Sequence, residues 1–344
     1  MGRVSTEPAP TPVPAPRSLL AAPSDAGAAT VLARSRDELA AALADAPDPR
    51  AVVMTMGALH EGHFDLVREA ARRVGPAGTV VVTIFVNPLQ FAPTEDLDSY
   101  PRDLEGDLAG LTRTLTGVDG ALGVGQLVVF APTPEVIYPA GQPAVRIDPG
   151  PIATVLEGRT RPTHFAGVCQ VVLTLMHLTA PRWALFGRKD AQQLAIIESM
   201  VRDLAVPLEI VPVDIRRESD GLAMSSRNAY LSPEQRRQAL ALSRALQAGR
   251  DAAAQATGSR PDPVAIRQAA LASLEAADGV EVDYVALVAP DSFEDLAGAG
   301  LGLPRSEPVG EDKEEGLPAV GLLAVAARVG TTRLIDNTLI DLRP

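Results

Sequence analysis

Residues 51–74, Ala-Val-Val-Met-Thr-Met-Gly-Ala-Leu-His-Glu-Gly-His-Phe-Asp-Leu-Val-Arg-Glu-Ala-Ala-Arg-Arg-Val, decide the fold. Ala51 to Thr55 is a short apolar run of the kind buried inside a sheet. Val67, Ala70, Ala71 and Val74 then recur at helical spacing. A strand that feeds a helix through a turn holding Gly57 and Gly62 is half of a β-α-β unit. The same alternation continues outward. Val80 to Val86 is β-branched and almost wholly apolar, as an interior parallel strand requires. Leu104, Leu108, Leu111 and Leu115 mark a helix, and Leu127 to Ala131 and Trp183 to Phe186 mark strands. Leu194, Ile197, Val201 and Leu204 form a helical stripe, and Leu208 to Val213 closes the series as a strand. The expected fold is α/β, a Rossmann-like doubly wound parallel sheet with helices on both faces.

After about residue 216 the pattern changes. Ser232-Pro233-Glu234-Gln235 is a helix-start signature, with a capping Ser, Pro at the first helical position and Gln three residues past the cap. Ala-rich helices follow to about Ala254 and from Pro263 to Ala277, then strands at Val282 to Val288 and Leu322 to Val329. A smaller C-terminal α+β domain is expected over 216–344, beside the Rossmann-like domain over 31–215. Residues 1–30 are rich in Pro and Ala and read as a disordered tail. Residues 298–321 carry an acidic run between prolines and read as an exposed, mobile loop. At 344 residues the chain exceeds the size at which one core stops growing, about 250–300 residues.

Composition excludes several classes. The net charge is −12, and no basic run is longer than Arg216-Arg217, so nucleic acid is not an expected partner. No apolar stretch approaches the roughly 20 residues that cross a bilayer. Cys169 is the only cysteine, which rules out an internal disulfide and fits a reducing, cytoplasmic setting. There is no GxxxxGK[ST] and no GxGxxG after a strand, and His60-Glu61-Gly62-His63 is not HExxH.

Three segments carry candidate chemistry. Met56 to His63 lies where the first strand meets its helix; glycines admit a ligand close to the backbone, the helix N-terminus favours anions, and His60 and His63 can donate to phosphate oxygens. The bland alternative is a Gly turn with two surface histidines, although two of the chain's four histidines fall there. Gly187-Arg188-Lys189-Asp190 again sits between a strand and a helix, and Lys189 there is either a phosphate-binding charge or a solvated lysine. Asp220 to Asn228 places Ser225, Ser226 and Arg227 in a loop near the domain junction, which suits a departing pyrophosphate or is an ordinary Ser-rich turn.

Taken together, TMGALHEGH, IFVNPLQF, RPTHFAGV, GRKDAQQ, DGLAMSSRN and ARVGTTRLIDN, in this order and spacing, resemble the pantoate–β-alanine ligases of the nucleotidylyltransferase superfamily. The resemblance covers about residues 31–344. It implies ATP-dependent adenylation of pantoate, expulsion of pyrophosphate, and attack by β-alanine to give pantothenate and AMP. It implies that Met56, Gly57, Ala58, Leu59, His60, Glu61, Gly62 and His63 form one ATP segment, with His63 at the position of a proton donor. Gly187, Arg188, Lys189 and Asp190 would form the second, and Met224, Ser225, Ser226 and Arg227 the third, with a backbone group of Arg216 at the adenine. On the same grounds, His60, His63, Lys189, Ser225 and Arg227 are the catalytic candidates. Gln90 and Gln193 would bind pantoate, Gln90 also β-alanine, with Asn87 close by and Arg161 and His164 at the pocket mouth. ATP and Mg²⁺ are the implied cofactors, and a homodimer is the implied assembly, for which the IFVNPLQF end offers an apolar contact. Where some relatives carry an adjacent Asp pair for Mg²⁺, this chain has Gly106-Asp107, leaving Asp107 as the metal candidate. Met54, Arg188 and Ala191 depart from the usual residues. Segments 114–125 and 301–316 have no counterpart. The competing readings are a nucleotidylyltransferase for another acid or phosphate acceptor, in which Gln90 and Gln193 would be dispensable, and a non-catalytic nucleotide binder, which would have no need of His60, His63, Lys189 and Ser225.

Overall fold

A computed structural model of the chain describes residues 29–92, 97–98, 100–116, 123–256, 259–305 and 317–344. In chain order the elements of the first unit are β1 (Ala29–Ala33), α1 (Arg36–Ala44), β2 (Arg50–Thr55), α2 (Glu61–Val74), β3 (Thr79–Ile84), α3 (Leu104–Thr116), β4 (Gln126–Phe130), the one-turn helices α4 (Pro134–Ile137) and α5 (Glu157–Thr160), α6 (His164–Thr179), β5 (Trp183–Gly187), α7 (Ala191–Asp203) and β6 (Glu209–Val213). The second unit has α8 (Pro233–Ala254), α9 (Pro263–Glu275), β7 (Val280–Val288), β8 (Val320–Val329) and β9 (Thr332–Asp341).

The first six strands form one sheet in the order β1-β4-β3-β2-β5-β6, every pair parallel. The period-two pleat sorts its side chains. Val52, Val81 and Val128 face the layer made by α1, α6 and α7, whereas Val53, Val82 and Val129 face α2 and α3. Both faces are therefore covered, which is why the strands read as unbroken apolar runs. The order steps outward in both directions from β2: to β3 and β4 on one side, to β5 and β6 on the other. Beyond the carboxyl ends of β2 and β5, where the connections part, an open α/β sheet presents its crevice.

The second sheet is an antiparallel meander, β7-β8-β9. One face packs on α8 and α9 through Val285, Leu287, Leu323 and Val325. The other, with Tyr284, Val288 and Leu322, packs against Val155, Leu156 and Ala195 of the first unit. A partly buried charge cluster crosses the same junction. Arg333 on β9 makes a bidentate pair with Glu157, both bonds at 2.7 Å, and reaches Asp283 at 2.7 Å, while the Tyr284 hydroxyl donates to Glu157 at 2.9 Å.

Several expectations are corrected. Ala29 and Thr30, read as tail, begin β1; the rest of that segment lies outside the described residues, as do 117–122 and 306–316 of the two insertions. The 298–321 segment read as loop ends inside β8, which starts at Val320. β1, α1, α6, β9 and the one-turn helices α4 and α5 were not read from the sequence. The strand read as Val80 to Val86 stops at Ile84, and the chain then turns through a 3-10 segment, Pro88–Gln90. Phe85, Asn87, Gln90 and Phe91 of this segment are buried, whereas Val86, Pro88 and Leu89 are half-buried.

Candidate active site

The carboxyl end of β2 runs into a turn in which Gly57 has φ +87° and Ala58 φ +50°. A side chain on Gly57 would be strained by that φ alone and would press on Asp107 Oδ2 and Ile84 at 3.1 Å. The turn is held from α3. Asp107 accepts the backbone N–H of Ala58 at 3.1 Å and of Leu59 at 2.7 Å. Its carboxylate is buried, and burial pushes its pKa up while the two N–H groups pull it back. Both oxygens are thus engaged by the loop itself. Asp107, the metal candidate, thus shapes the turn, each oxygen accepting one backbone N–H.

His60 caps α2 and His63 lies one turn on. His60 Nδ1 accepts from Gly62 N–H at 3.2 Å, and His63 Nδ1 accepts from His60 N–H at 3.3 Å, a reciprocal capping box built from two imidazoles. The rings stack with centroids 4.0 Å apart. Because Nδ1 accepts in both, the proton of each neutral ring sits on Nε2, which is left as a donor. Burial lowers both pKa values; Lys189 adds to this for His60, and His60 adds to it for His63, which falls to about 3. Both rings are neutral at pH 7, so His63 is poised as a hydrogen-bond donor rather than as an acid. The Glu61 side chain is exposed and pairs with Arg68 at 2.9 Å, so only its backbone faces the loop.

Across the crevice, β5 ends in a 3-10 turn, Arg188–Asp190, that carries Lys189. Arg188 turns aside to Asp214 at 3.3 Å, at the protein surface, and does not add charge to the site. The third segment is braced by a bridge between Arg217 and Ala223 and by Met224 N–H donating to the Arg216 carbonyl at 2.9 Å. Ser225 Oγ accepts from Arg227 N–H at 3.3 Å, so the hydroxyl proton remains available to a ligand. The Arg216 side chain pairs with Asp65 of α2 at 3.2 Å.

The floor is a polar relay. The buried Tyr138 hydroxyl donates to Asn87 Oδ1 at 2.9 Å; Asn87 Nδ2 donates to Gly167 O at 3.0 Å and to Gln90 Oε1 at 3.2 Å. Asn87 also accepts from Leu89 N–H, so its amide is spent inside the protein, which corrects its expected place among the substrate ligands. The relay fixes Gln90: with Oε1 engaged, the Nε2 hydrogens are presented beside Met56 Sδ, 2.9 Å away. Arg161 and His164 both contact the Gln90 carbonyl, at 3.3 and 3.1 Å. Gly167 lets α6 approach this turn; a methyl group there would sit 2.3 Å from Leu89 O. Sequence reasoning missed Tyr138, and also Gln192, whose buried amide holds Ile152 O, Val155 O and Glu157 N–H.

His60, His63, Gln90, Lys189, Gln193 and Arg227 line one cavity of about 270 Å³ between the β2 and β5 ends, together with Met56, Met224, Ser225 and Ser226. It opens onto a cleft of about 570 Å³ against the second unit, with Arg161, Lys189, Gln193 and Arg227 common to both. Among the described residues no group of three His, Cys, Asp or Glu side chains is placed to hold a metal ion.

A family model described as pantoate-beta-alanine ligase matches residues 31–339. A pantothenate synthetase of a Nocardioides species is 50% identical over 315 residues, 90% of this chain and 85% of the relative. The Streptomyces avermitilis pantothenate synthetase is 45% identical over 351 residues, 90% and 97% of the two chains. The crystal structure of the Thermus thermophilus pantothenate synthetase is similar at a TM-score of 0.74 and 41% identity, covering 91% of this chain and 99% of that one. The Francisella tularensis ligase, complexed with beta-gamma ATP and beta-alanine, is similar at 0.65 and 28%, covering 90% and 98%.

Proposed function

The chain belongs to the pantoate–β-alanine ligase family, and from that premise we propose how its own residues carry the reaction. The enzyme condenses (R)-pantoate with β-alanine at the expense of ATP, through a pantoyl-adenylate, releasing pyrophosphate and then AMP. In the first step a pantoate carboxylate oxygen attacks the α-phosphorus and the bond to the β-phosphate oxygen breaks. In the second, the β-alanine amine attacks the acyl carbon, AMP leaves with the electron pair, and the amine loses a proton to solvent. Neither step needs a covalent bond to the protein, so catalysis rests on placement and on donors aimed at developing charge.

One observation carries the assignment of roles. The Nδ1 atoms of His60 and His63 are both tied to backbone N–H groups, which leaves two neutral Nε2 donors in the cavity that Gln90, Lys189 and Ser225 also line. In this reading the histidines and Lys189 contact the ATP phosphates, and Ser225 and Arg227 follow the departing pyrophosphate. Gln90 and Gln193 donate to pantoate, and Arg161 stands at the mouth. Neutral donors suit the nucleophile, because an ion pair would tie up the carboxylate that must attack. Magnesium is proposed to enter on the ATP phosphates, with water completing its shell. Among the described residues no group of three His, Cys, Asp or Glu side chains would hold the ion apart from the nucleotide. A homodimer and a cytoplasmic location complete the proposal; the first rests on the family resemblance and is read by light scattering, the second on the single, buried Cys169.

The test is pyrophosphate release from ATP and Mg²⁺, with pantoate present or absent and β-alanine withheld. Release that depends on pantoate, and turns over repeatedly with AMP once β-alanine is added, supports the reading. Release that ignores pantoate overturns it and favours another carboxylate or phosphate acceptor.

A further inference from the structure

Two successive residues of β9, Asp336 and Asn337, reach out of the second sheet to both phosphate-facing segments. Asn337 is buried, and its Nδ2 donates to the carbonyls of Arg188 at 3.0 Å and of Lys189 at 2.8 Å. These belong to the 3-10 turn that presents Lys189. The turn has no side-chain cap of its own at Gly187, nor does α7 at Asp190. Asp336, also buried, accepts from Arg217 through both oxygens, at 2.7 and 3.0 Å, and from its neighbour's N–H at 2.8 Å. Arg217 in turn donates to Gly221 O at 3.1 Å and bridges to Ala223, which fixes the loop that continues into Ser225 and Arg227.

Lys189 and Ser225 lie on separate connections with no covalent reason to keep a fixed distance. The Asp336-Asn337 dipeptide spans them, so one short piece of strand sets the position of the lysine against that of the hydroxyl. A bidentate Arg–carboxylate pair and a two-pronged amide both have narrow geometry, which makes them suited to this task. We infer that Asp336 and Asn337 are positioning residues for the adenylation step, acting through Arg217 and through the Arg188–Lys189 carbonyls to hold the two phosphate-binding segments in register. The inference rests on the reading that Lys189 and Ser225 contact the ATP phosphates.

The experiment is a double-mutant cycle on pyrophosphate release, with pantoate, ATP and Mg²⁺. A misplacement of about 1 Å at a reacting centre costs on the order of 10²-fold, so Asn337→Ala is expected to lower kcat/KM for ATP by roughly 10- to 100-fold. The pantoate KM should stay within a factor of about 2. In a Lys189→Ala background, the same substitution should cost less than about 2-fold, because its target is already gone. Asp336→Asn in wild-type and Ser225→Ala backgrounds repeats the cycle for the other segment. Equal losses in both backgrounds would overturn the inference, since a general structural role predicts them. Near-normal turnover of Lys189→Ala would instead overturn the reading of the lysine. Where Asn337→Ala does not fold, Asn337→Ser, which keeps one donor, takes its place in the cycle.

Discussion

Asp107→Ala separates two roles that a buried carboxylate beside a nucleotide loop can play. In the structure it accepts the N–H groups of Ala58 and Leu59 and so ties the turn to α3. A hydrogen bond to a charged acceptor contributes about 1.5–3 kcal/mol, and some of the loss is recovered when water reaches a half-buried N–H. Two such bonds, partly compensated, give about 3 kcal/mol. At 2–4 °C per kcal/mol for a unit of this size, the melting temperature of the nucleotide-free protein should fall by roughly 6–12 °C. Ala58 at φ +50° would then relax, the start of α2 would shift, and KM for ATP should rise. Asp107→Asn keeps one acceptor and should show about half the loss. The assay is thermal unfolding without nucleotide, beside initial rates over a range of Mg²⁺. An unchanged melting temperature, with activity restored by excess Mg²⁺, would refute the reasoning and return Asp107 to the metal.

Other outcomes follow from the same geometry. His63 has a folded pKa near 3, far below its ordinary value, so as pH falls below about 6.5 the unfolded chain takes the proton first and stability drains away until the folded ring also protonates. Urea unfolding between pH 6 and 4 should therefore show His63→Asn with a shallower loss than the parent, by up to about 1.4 kcal/mol per pH unit; identical slopes would show that the ring is not held neutral. The same variant should lower turnover about 10²–10³-fold at pH 7.5, read as pyrophosphate release. Tyr138→Phe removes the outer donor of the relay and should raise the pantoate KM while leaving the ATP KM unchanged; steady-state rates decide this, and a change confined to ATP would count against the relay. Gly167→Ala drives a methyl group toward Leu89 O and should displace the Gln90 turn, lowering both melting temperature and pantoate affinity, measured by calorimetry.

The interior strands were readable because both faces of the sheet are covered, so the apolar signal is continuous. β9, with the sequence TRLIDNTLID, was not, because it spends Arg333, Asp336 and Asn337 on other elements and so breaks its own alternation. α6, with the sequence HFAGVCQVVLTLMHLT, is apolar on most of its circumference and lacks the stripe that marks a half-exposed helix. β1 is five residues long and pairs only at the sheet edge, with β4. In the site, what was legible was local: a glycine turn before a helix, two histidines three apart, a lysine at a helix start. Asn87 shows the limit. A neutral amide beside Gln90 is equally suited to a substrate and to another amide, and only the fold brings Tyr138, 51 residues away, to decide between them. Asp107 is equally ambiguous in the sequence, since an acid beside a glycine turn fits a cation and a pair of N–H groups alike.

The grip of β9 on the lysine turn also orders events during synthesis. Asn337 follows Lys189 by 148 residues, and β9 comes after every other element of the fold. At about 5–20 residues per second, a ribosome adds that stretch in roughly 7 to 30 s. Once β6 has followed, the parallel sheet can be complete and able to collapse while its lysine turn still has bare carbonyls. A nascent chain arrested before residue 336 would have the parallel sheet without the bonds that tie its lysine turn and Arg217 to β9. The emergence of β9 is the moment at which those carbonyls find their donor.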